Sequence, residues 1–307
     1  MKKILVTGAT GFIGESVIDA LKNSDEDFKV FCLSLDKKKS LNDSRFIFFE
    51  CDLLDIQSQE VLIKNIAPTH CIHLAWHVPP QEFWHSMKNI DWLYASAHLF
   101  KMFCRYGGKV FLGAGSIAEY DLSESELDEE KTQLLPSTLY GESKKALRSL
   151  LQHIQNQHSS ETVLLWARIG YFFGEQQPRA KLLTRLFESI NAQTPLLVSS
   201  KETSRPYAHV SYLGIALVKA LFQVHFDMTF NISASNSYSI GEIVEKISSS
   251  LEKESSCIEY GAYQSPIAEP LNIKISTKKI EDVIDWKIPN TFINDISIFT
   301  QNLKKVL

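Results

Sequence analysis

Cysteine is scarce and scattered in this chain. The five cysteines, Cys32, Cys51, Cys71, Cys104 and Cys257, are odd in number and include no Cys-x-x-Cys pair. Several lie in apolar, strand-like runs, so packing is their expected role, and neither a disulfide framework nor a metal cluster is expected. The histidines of 76–85 likewise show no metal-ligand spacing with a third partner. Basic charge is not in excess: 32 Lys and Arg against 36 Asp and Glu leave a formal charge of −4, without the basic face of a nucleic-acid binder. No apolar run reaches the ~18 residues of a membrane span. Met1-Lys2-Lys3 leads straight into a strand-like run with no cleavable apolar stretch, so no signal peptide is read and a cytoplasmic location is expected. There is no internal repeat and no low-complexity tract. The remaining composition, 44% apolar and 22% charged over 307 residues, is that of a globular protein with one large domain or two smaller ones.

Glycine is sparse too, which makes its placement informative. Three of the 13 glycines fall in Thr7-Gly8-Ala9-Thr10-Gly11-Phe12-Ile13-Gly14. An apolar strand pattern at 2–6 precedes this turn and an amphipathic helical pattern at 15–22 follows it. Strand, glycine turn and helix N-terminus in that order make an anion site, because glycine lets the backbone approach a diphosphate and the helix end presents unpaired N–H groups. The Gly-x-x-Gly-x-x-Gly spacing is one residue longer than the usual fingerprint. It predicts a dinucleotide held by Gly8, Gly11, Phe12, Ile13 and Gly14.

The first half of the chain alternates strand and helix. Strands are read at 28–34, 45–49, 70–75, 109–113 and 162–169, the last almost wholly apolar, as a strand buried on both faces should be. Helical patterns lie between them at 56–65, 83–105 and 138–157. The alternation predicts a parallel sheet with helices on both faces. After Gly174 the rhythm changes to helices at 178–191, 212–223 and 240–252 and a short strand at 195–198, with loops at 199–206 and 233–239. The acidic stretch 119–130 reads as a solvated loop.

Tyr140-Gly141-Glu142-Ser143-Lys144 puts a phenol and an ammonium four residues apart, on one face of a predicted helix. A phenol has an unperturbed pKa near 10, and a neighbouring cation stabilises its ionised form. Ser116 follows the fifth strand, at the sheet end where open parallel sheets bind ligands, with a hydroxyl able to donate to a substrate carbonyl.

Taken together these motifs resemble the extended short-chain dehydrogenase/reductases, the NAD(P)-dependent epimerase/dehydratase family acting on nucleotide sugars. Thr7 to Gly14 resembles the family's fingerprint, Asp52-Leu53 its adenine-contacting pair, and His73-Leu74-Ala75-Trp76 its His-x-Ala-Ala motif with Trp76 in place of the last alanine. Asn89 falls where the family has an asparagine behind the active site. Ser116, Tyr140 and Lys144 resemble the catalytic triad. Arg168 with Gly174, the segment Arg205-Pro206-Tyr207-Ala208-His209-Val210, the stretch 231–243 and Trp286-Lys287-Ile288-Pro289 resemble later family motifs. The resemblance implies a doubly wound parallel Rossmann-type α/β fold with a smaller C-terminal substrate-binding lobe. The boundaries read as 1–169 for the dinucleotide domain, rejoined by 207–233, and 170–206 with 234–307 for the lobe. It further implies Tyr140 as general acid/base, Lys144 as depressor of its pKa and ligand of the nicotinamide ribose, and Ser116 as polariser of the carbonyl. Cofactor contacts are expected from Leu74, Ala75 and Trp76 as well. Substrate contacts are expected from Asn89, Ile117, Tyr171 and Arg205, the last on a diphosphate. A homodimer through the helices at 83–105 and 138–157 is implied, with a nucleotide sugar as the small-molecule partner.

Departures narrow the reading. Ser116-Ile117-Ala118 stands where the 4,6-dehydratases carry Thr-Asp-Glu, which disfavours dehydration. Gly170-Tyr171-Phe172-Phe173 offers no asparagine to a diphosphate, and Pro206 replaces the aspartate after Arg205. At the end of the second strand, where NAD selectivity wants a carboxylate, stands Ser34. Asp36 comes two residues later, then Lys37, Lys38 and Lys39. Serine with lysines suits a 2′-phosphate and Asp36 suits a 2′-hydroxyl, and the balance leans to NADP over NAD. The favoured activity is reduction of an NDP-4-keto-6-deoxyhexose. The alternatives are a 4-epimerase with tightly held NAD and a non-catalytic dinucleotide sensor.

Overall fold

A computed structural model describes residues 1–35, 41–80, 82–158, 161–263 and 269–306. Seven strands form the central sheet: β1 (Lys2–Thr7), β2 (Phe28–Ser34), β3 (Phe46–Glu50), β4 (His70–His73), β5 (Val110–Ser116), β6 (Val163–Ile169) and β7 (Met228–Ile232). Their order across the sheet is β7-β6-β5-β4-β1-β2-β3 and every pairing is parallel. The order reverses between β1 and β4, so the connections leaving their C-terminal ends diverge and open a crevice there. Interior strands are apolar because both faces are covered: residues 164–168 are all buried in β6.

On one face lie α1 (Phe12–Lys22), α6 (Val210–Gln223) and α8 (Lys278–Ile284). On the other lie α2 (Ile56–Ile66), α3 (Lys88–Arg105) and α4 (Leu139–Gln157). A separate core gathers Phe173 with α5 (Leu182–Ala192), α7 (Ile240–Leu251) and α9 (Phe292–Val306). The short strands Leu196–Val198 and Ile258–Tyr260 pair beside it. A fourth, small apolar cluster of Ile117, Tyr120, Leu122, Leu127, Ile273 and Ile275 lies behind the end of β5. Among the described residues no helix is long and apolar enough to cross a membrane.

Several boundaries differ from the sequence reading. The fourth strand ends at His73, not at 75, because the amides of Leu74 and Ala75 turn onto the Thr7 hydroxyl. The fifth runs on to Ser116, since Gly113 and Gly115 make room for the Trp166 ring and keep pairing with β6. The helix read from 83 begins at Lys88, because Phe83 and the residues after it form turns tied to Asn89. The helix read from 178 begins at Leu182. β7, α8 and α9 went unread: β7 is five residues without alternation, and the amphipathic 292–306 was not separated from the loops before it.

α1 and α6 pack at backbone distance. A Cβ on Gly214 would stand 2.3 Å from the Ser16 carbonyl oxygen. Gly214→Ala should therefore force the helices apart and cost about 1–3 kcal/mol despite alanine's higher helix propensity. Urea unfolding measures it; a variant as stable as the parent would contradict the close packing.

Candidate active site

The glycine turn is built by close approach. Gly8 adopts a φ of +67° and its carbonyl accepts from the Gly11 N–H at 3.0 Å. A Cβ on Gly14 would fall 2.0 Å from that same Gly8 oxygen, so only glycine fits. α1 starts at once, with Gly11 as its cap and no side chain over its end, and its first amides have no carbonyl one turn back. The neighbouring strand end is locked by Thr7. Its hydroxyl accepts from the amides of Leu74 (3.1 Å) and Ala75 (3.2 Å) and bonds His73 Nδ1 at 2.7 Å, while His73 Nε2 bonds Ser96 Oγ at 2.8 Å. With two amides already on its oxygen, Thr7 gives its hydrogen to Nδ1, which leaves the Nε2 proton for Ser96. Burial holds this imidazole neutral, its pKa pushed down to about 3, with the Lys144 charge adding to the effect.

Ser34 ends β2 and is buried, with Leu35 exposed beyond it. Asp36 and Lys37 lie outside the described residues. Asp52 accepts the Leu54 amide at 2.9 Å, and Leu53 is buried against the sheet.

The catalytic candidates converge at the end of β5. Ser116 is its last residue and accepts the Ala118 amide at 3.2 Å, opening a single 3₁₀ turn, Ile117–Glu119. α4 begins against that turn: a Cβ on Gly141 would lie 2.1 Å from the Ala118 carbonyl oxygen. Thr138, read as the first helical residue, is the N-cap, its hydroxyl taking the Gly141 amide at 3.1 Å. This contact sets the Tyr140 phenol near Ser116, whose hydroxyl lowers the phenol's pKa. The Tyr140 ring is enclosed edge-on by Phe83 (4.9 Å between centroids), Trp84 (5.8 Å) and Trp76 (6.5 Å). Enclosure pushes the phenol up to about 12, against the lowering by Ser116. Lys144 Nζ lies 5.9 Å from the Tyr140 ring centroid. Lys144 is buried, its Nζ donating to the Ala114 carbonyl at 2.9 Å and lying 3.7 Å from the Trp76 ring centroid. Burial pulls this ammonium down to about 7, with Glu119 opposing. Trp76, expected along the cofactor, covers the lysine instead, its indole N–H on Asn89 Oδ1 at 2.8 Å.

The substrate candidates divide. Asn89 is 1% exposed and spends its amide on the carbonyls of Phe83 (2.7 Å) and Ser86 (2.8 Å), so it supports the wall and is not available as a ligand. Ile117 is buried in the small cluster behind β5. Tyr171 and Arg205 do come together, but around Glu269: the phenol donates to Oε1 at 3.1 Å and Arg205 Nη2 to Oε2 at 2.7 Å. The other arm of Arg205 donates to the carbonyls of Ser204, Pro270 and Leu271. The guanidinium expected for a diphosphate is thus already paired.

The solvated acidic loop expected at 119–130 is exposed at 123–126 and 130 but not at its first carboxylate. Glu119 is fully buried and Glu129 accepts the Asn231 amide at 2.7 Å. Glu119 Oε1 accepts from the Ser116 amide and the Trp166 indole, both at 2.9 Å, and Oε2 from Arg168 Nε at 2.9 Å. Sequence reasoning missed it, though Ser116-x-x-Glu119 is a capping-box spacing that signals it. Lys181, at the N-cap of α5, was missed as well. Its Nζ lies 6.0 Å from the Phe83 ring, and among the described residues no carboxylate pairs with it.

A glycine cradle at the switch point of a parallel sheet, beside a Ser–Tyr–Lys cluster, defines a dinucleotide-dependent enzyme of Rossmann type. Residues 4–233 match the NAD dependent epimerase/dehydratase family, and the chain belongs to it. It is 26% identical over 307 residues to the dTDP-4-dehydro-6-deoxyglucose reductase of Escherichia coli, covering 95% of this chain and 94% of that one. It is 28% identical over 194 residues to methionine adenosyltransferase 2 subunit beta of Danio rerio, covering 62% of this chain and 54% of that one. Among solved structures, MoeE5 in complex with UDP-glucose and NAD superposes with a TM-score of 0.84 at 19% identity, over 99% of both chains. The UDP-N-acetylglucosamine 4-epimerase of Methanobrevibacter ruminantium M1 does so with a TM-score of 0.85 at 20% identity, over 100% of this chain and 99% of that one. These two establish the shared fold.

His73 titrates near 6.5 when unfolded and at about 3 when folded, so the unfolded chain takes up a proton that the native state refuses. Its stabilising contribution is complete above pH 6.5 and declines as pH falls toward 3. From this residue alone, stability should drop by about 2 kcal/mol between pH 7 and pH 5. Urea unfolding of the parent and of His73→Asn at both pH values checks it. The variant should be less stable at pH 7 but flatter with pH, and an equal pH dependence would refute the assignment.

Proposed function

We propose that the chain is an NAD(P)-dependent reductase of a nucleotide-activated 4-keto-6-deoxy sugar. The observation that carries the reading is the Tyr140 phenol, enclosed edge-on by Phe83, Trp84 and Trp76 near Ser116 and held protonated by that enclosure. Reduction of a ketone needs an acid at the oxygen, and a phenol with a pKa near 12 rests in the acid form. The similarity to the reductase of Escherichia coli along nearly the whole chain supports the same activity.

The residues present fit the cofactor: Gly14 lets the turn close tightly on Gly8, and the Gly11 cap leaves the N-terminal amides of α1 without a side chain over them, where a diphosphate would be held. A bound reduced nicotinamide supplies the hydride to the carbonyl carbon. Ser116 donates to the substrate carbonyl and orients it. Tyr140 gives its proton to the same oxygen as negative charge develops there. Lys144, hydrogen-bonded directly to β5 through the Ala114 carbonyl, supplies positive charge beside the resulting phenolate and a donor for the cofactor ribose. Ser34 at the end of β2, followed in the sequence by Lys37, Lys38 and Lys39, supports NADP over NAD. For the substrate diphosphate, Arg205 serves only by exchanging Glu269 for the ligand, and Lys181 offers an unpaired charge at the Phe83 rim. Exposed Ile90, Tyr94 and Leu150 on α3 and α4 support a homodimer through those helices.

A panel of NDP-4-keto-6-deoxy sugars with NADPH or NADH, followed by absorbance of the reduced cofactor, tests the reading. Turnover is expected with NADPH preferred, and consumption with none of them would refute it. Tyr140→Phe should lower kcat by about 10²- to 10⁴-fold while cofactor binding is retained. Glu269→Gln should lower KM for the nucleotide sugar at unchanged kcat if Arg205 receives the diphosphate, whereas a raised KM would assign the pair to structure alone.

A further inference from the structure

Trp76 stands at the mouth of the β4 connection with its ring over a charge. The Lys144 ammonium lies 3.7 Å from the ring centroid, inside the distance at which an aromatic face attracts a cation. The same ring meets Trp92 at 6.4 Å and Tyr140 at 6.5 Å. Its indole N–H is fixed on Asn89, whose amide in turn holds the carbonyls of Phe83 and Ser86. Phe83 packs edge-on against Tyr140. One asparagine therefore ties the plane under the lysine to the wall around the tyrosine.

We infer that Trp76 is a positioning residue for Lys144: its indole face keeps the buried side chain charged and aimed, with the Ala114 carbonyl on one donor and the ring on another side. An ammonium taken out of water must replace its hydration, and an uncharged carbonyl replaces only one of three donors. The other groups facing Lys144 are few. Glu119, from the turn after β5, favours the charged form, but it is shared with Arg168, Trp166 and the Ser116 amide. His73, from β4, is neutral and spends both nitrogens on hydroxyls. Tyr140, from the same helix, is protonated. Beyond the Ala114 carbonyl, the Trp76 ring face is thus the nearest favourable group that Lys144 does not share with another cation, the Tyr140 ring lying farther off at 5.9 Å. Taking it away should move the Lys144 titration to lower pH and, with it, the alkaline limit of any activity that needs the ammonium.

The titration of Lys144 can be read in the full chain without cofactor or substrate, by NMR of ¹³C/¹⁵N-labelled lysine, with Lys144→Arg assigning the signal. Trp76→Phe keeps a π face and Trp76→Leu keeps apolar bulk without one. The phenylalanine variant should titrate within a few tenths of a pH unit of the parent and the leucine variant about one unit lower. Overlapping titrations of the leucine variant and the parent would overturn the inference. So would equal shifts in both variants, which would assign the effect to packing. If the leucine variant does not fold, Trp76→Met supplies the apolar comparison. The inference rests on the proposed reductase only for its kinetic consequence, a parallel fall of the alkaline limb of kcat in the leucine variant. Absence of turnover with every 4-keto sugar would sink the reductase and leave the Lys144 titration to decide this point.

Discussion

The buried ion pair of Glu119 and Arg168 is the interaction on which the site depends. Both residues are removed from water, 0% and 4% exposed, and each holds more than one hydrogen-bond partner. Two charges in such a place are tolerated only when their remaining donors and lone pairs are satisfied. Here that requirement organises the neighbourhood. One carboxylate oxygen holds the amide of Ser116 and the indole of Trp166, and the other holds the guanidinium, which reaches on to Tyr120 and so to Asn231. β5, β6 and the turn that begins at Ser116 are joined through a single carboxylate, and β7 through Tyr120 and Asn231 beyond it. Gly115 belongs to the same arrangement, because a Cβ there would meet both the Trp166 indole and Glu119.

Around this fixed point the reactive groups are tuned by exclusion of water more than by their mutual charge. Burial raises the phenol of Tyr140 to about 12 and lowers the ammonium of Lys144 to about 7, moving both toward their neutral forms. A neutral phenol is the form that gives up a proton to a reduced substrate. In the protein alone the two residues do not form the charge-assisted couple that their four-residue spacing suggests. The aromatic wall of Phe83, Trp84 and Trp76 excludes water from both groups, and it is held in place by Asn89.

Much of the fold was legible in the residues. The apolar run at 162–169, the alternation of strand and helix before Gly174, and the glycine spacing at 8, 11 and 14 all reflect local rules of period, burial and backbone access, and the parallel sheet follows from them. β7 was not legible, because five residues flanked by helix and loop carry no period of their own and become a strand only by pairing with β6. In the site, Ser116, Tyr140 and Lys144 were legible as residue types at telling positions. The meeting of Ser116 with Tyr140 rests on Gly141 against Ala118, a contact between segments that no spacing rule relates.

The sequence by itself determined the class of sheet, the glycine turn and the residue types Ser116, Tyr140 and Lys144, since each of these is written in short-range pattern. Only the tertiary structure decided which charges are spent and which remain. It turned Glu119 from a surface acid into a buried anchor, paired Arg205 with Glu269, and laid Trp76 over Lys144. The physical reason is that desolvation and pairing depend on what the folded chain brings within a few ångströms, and residues far apart in the sequence supply it.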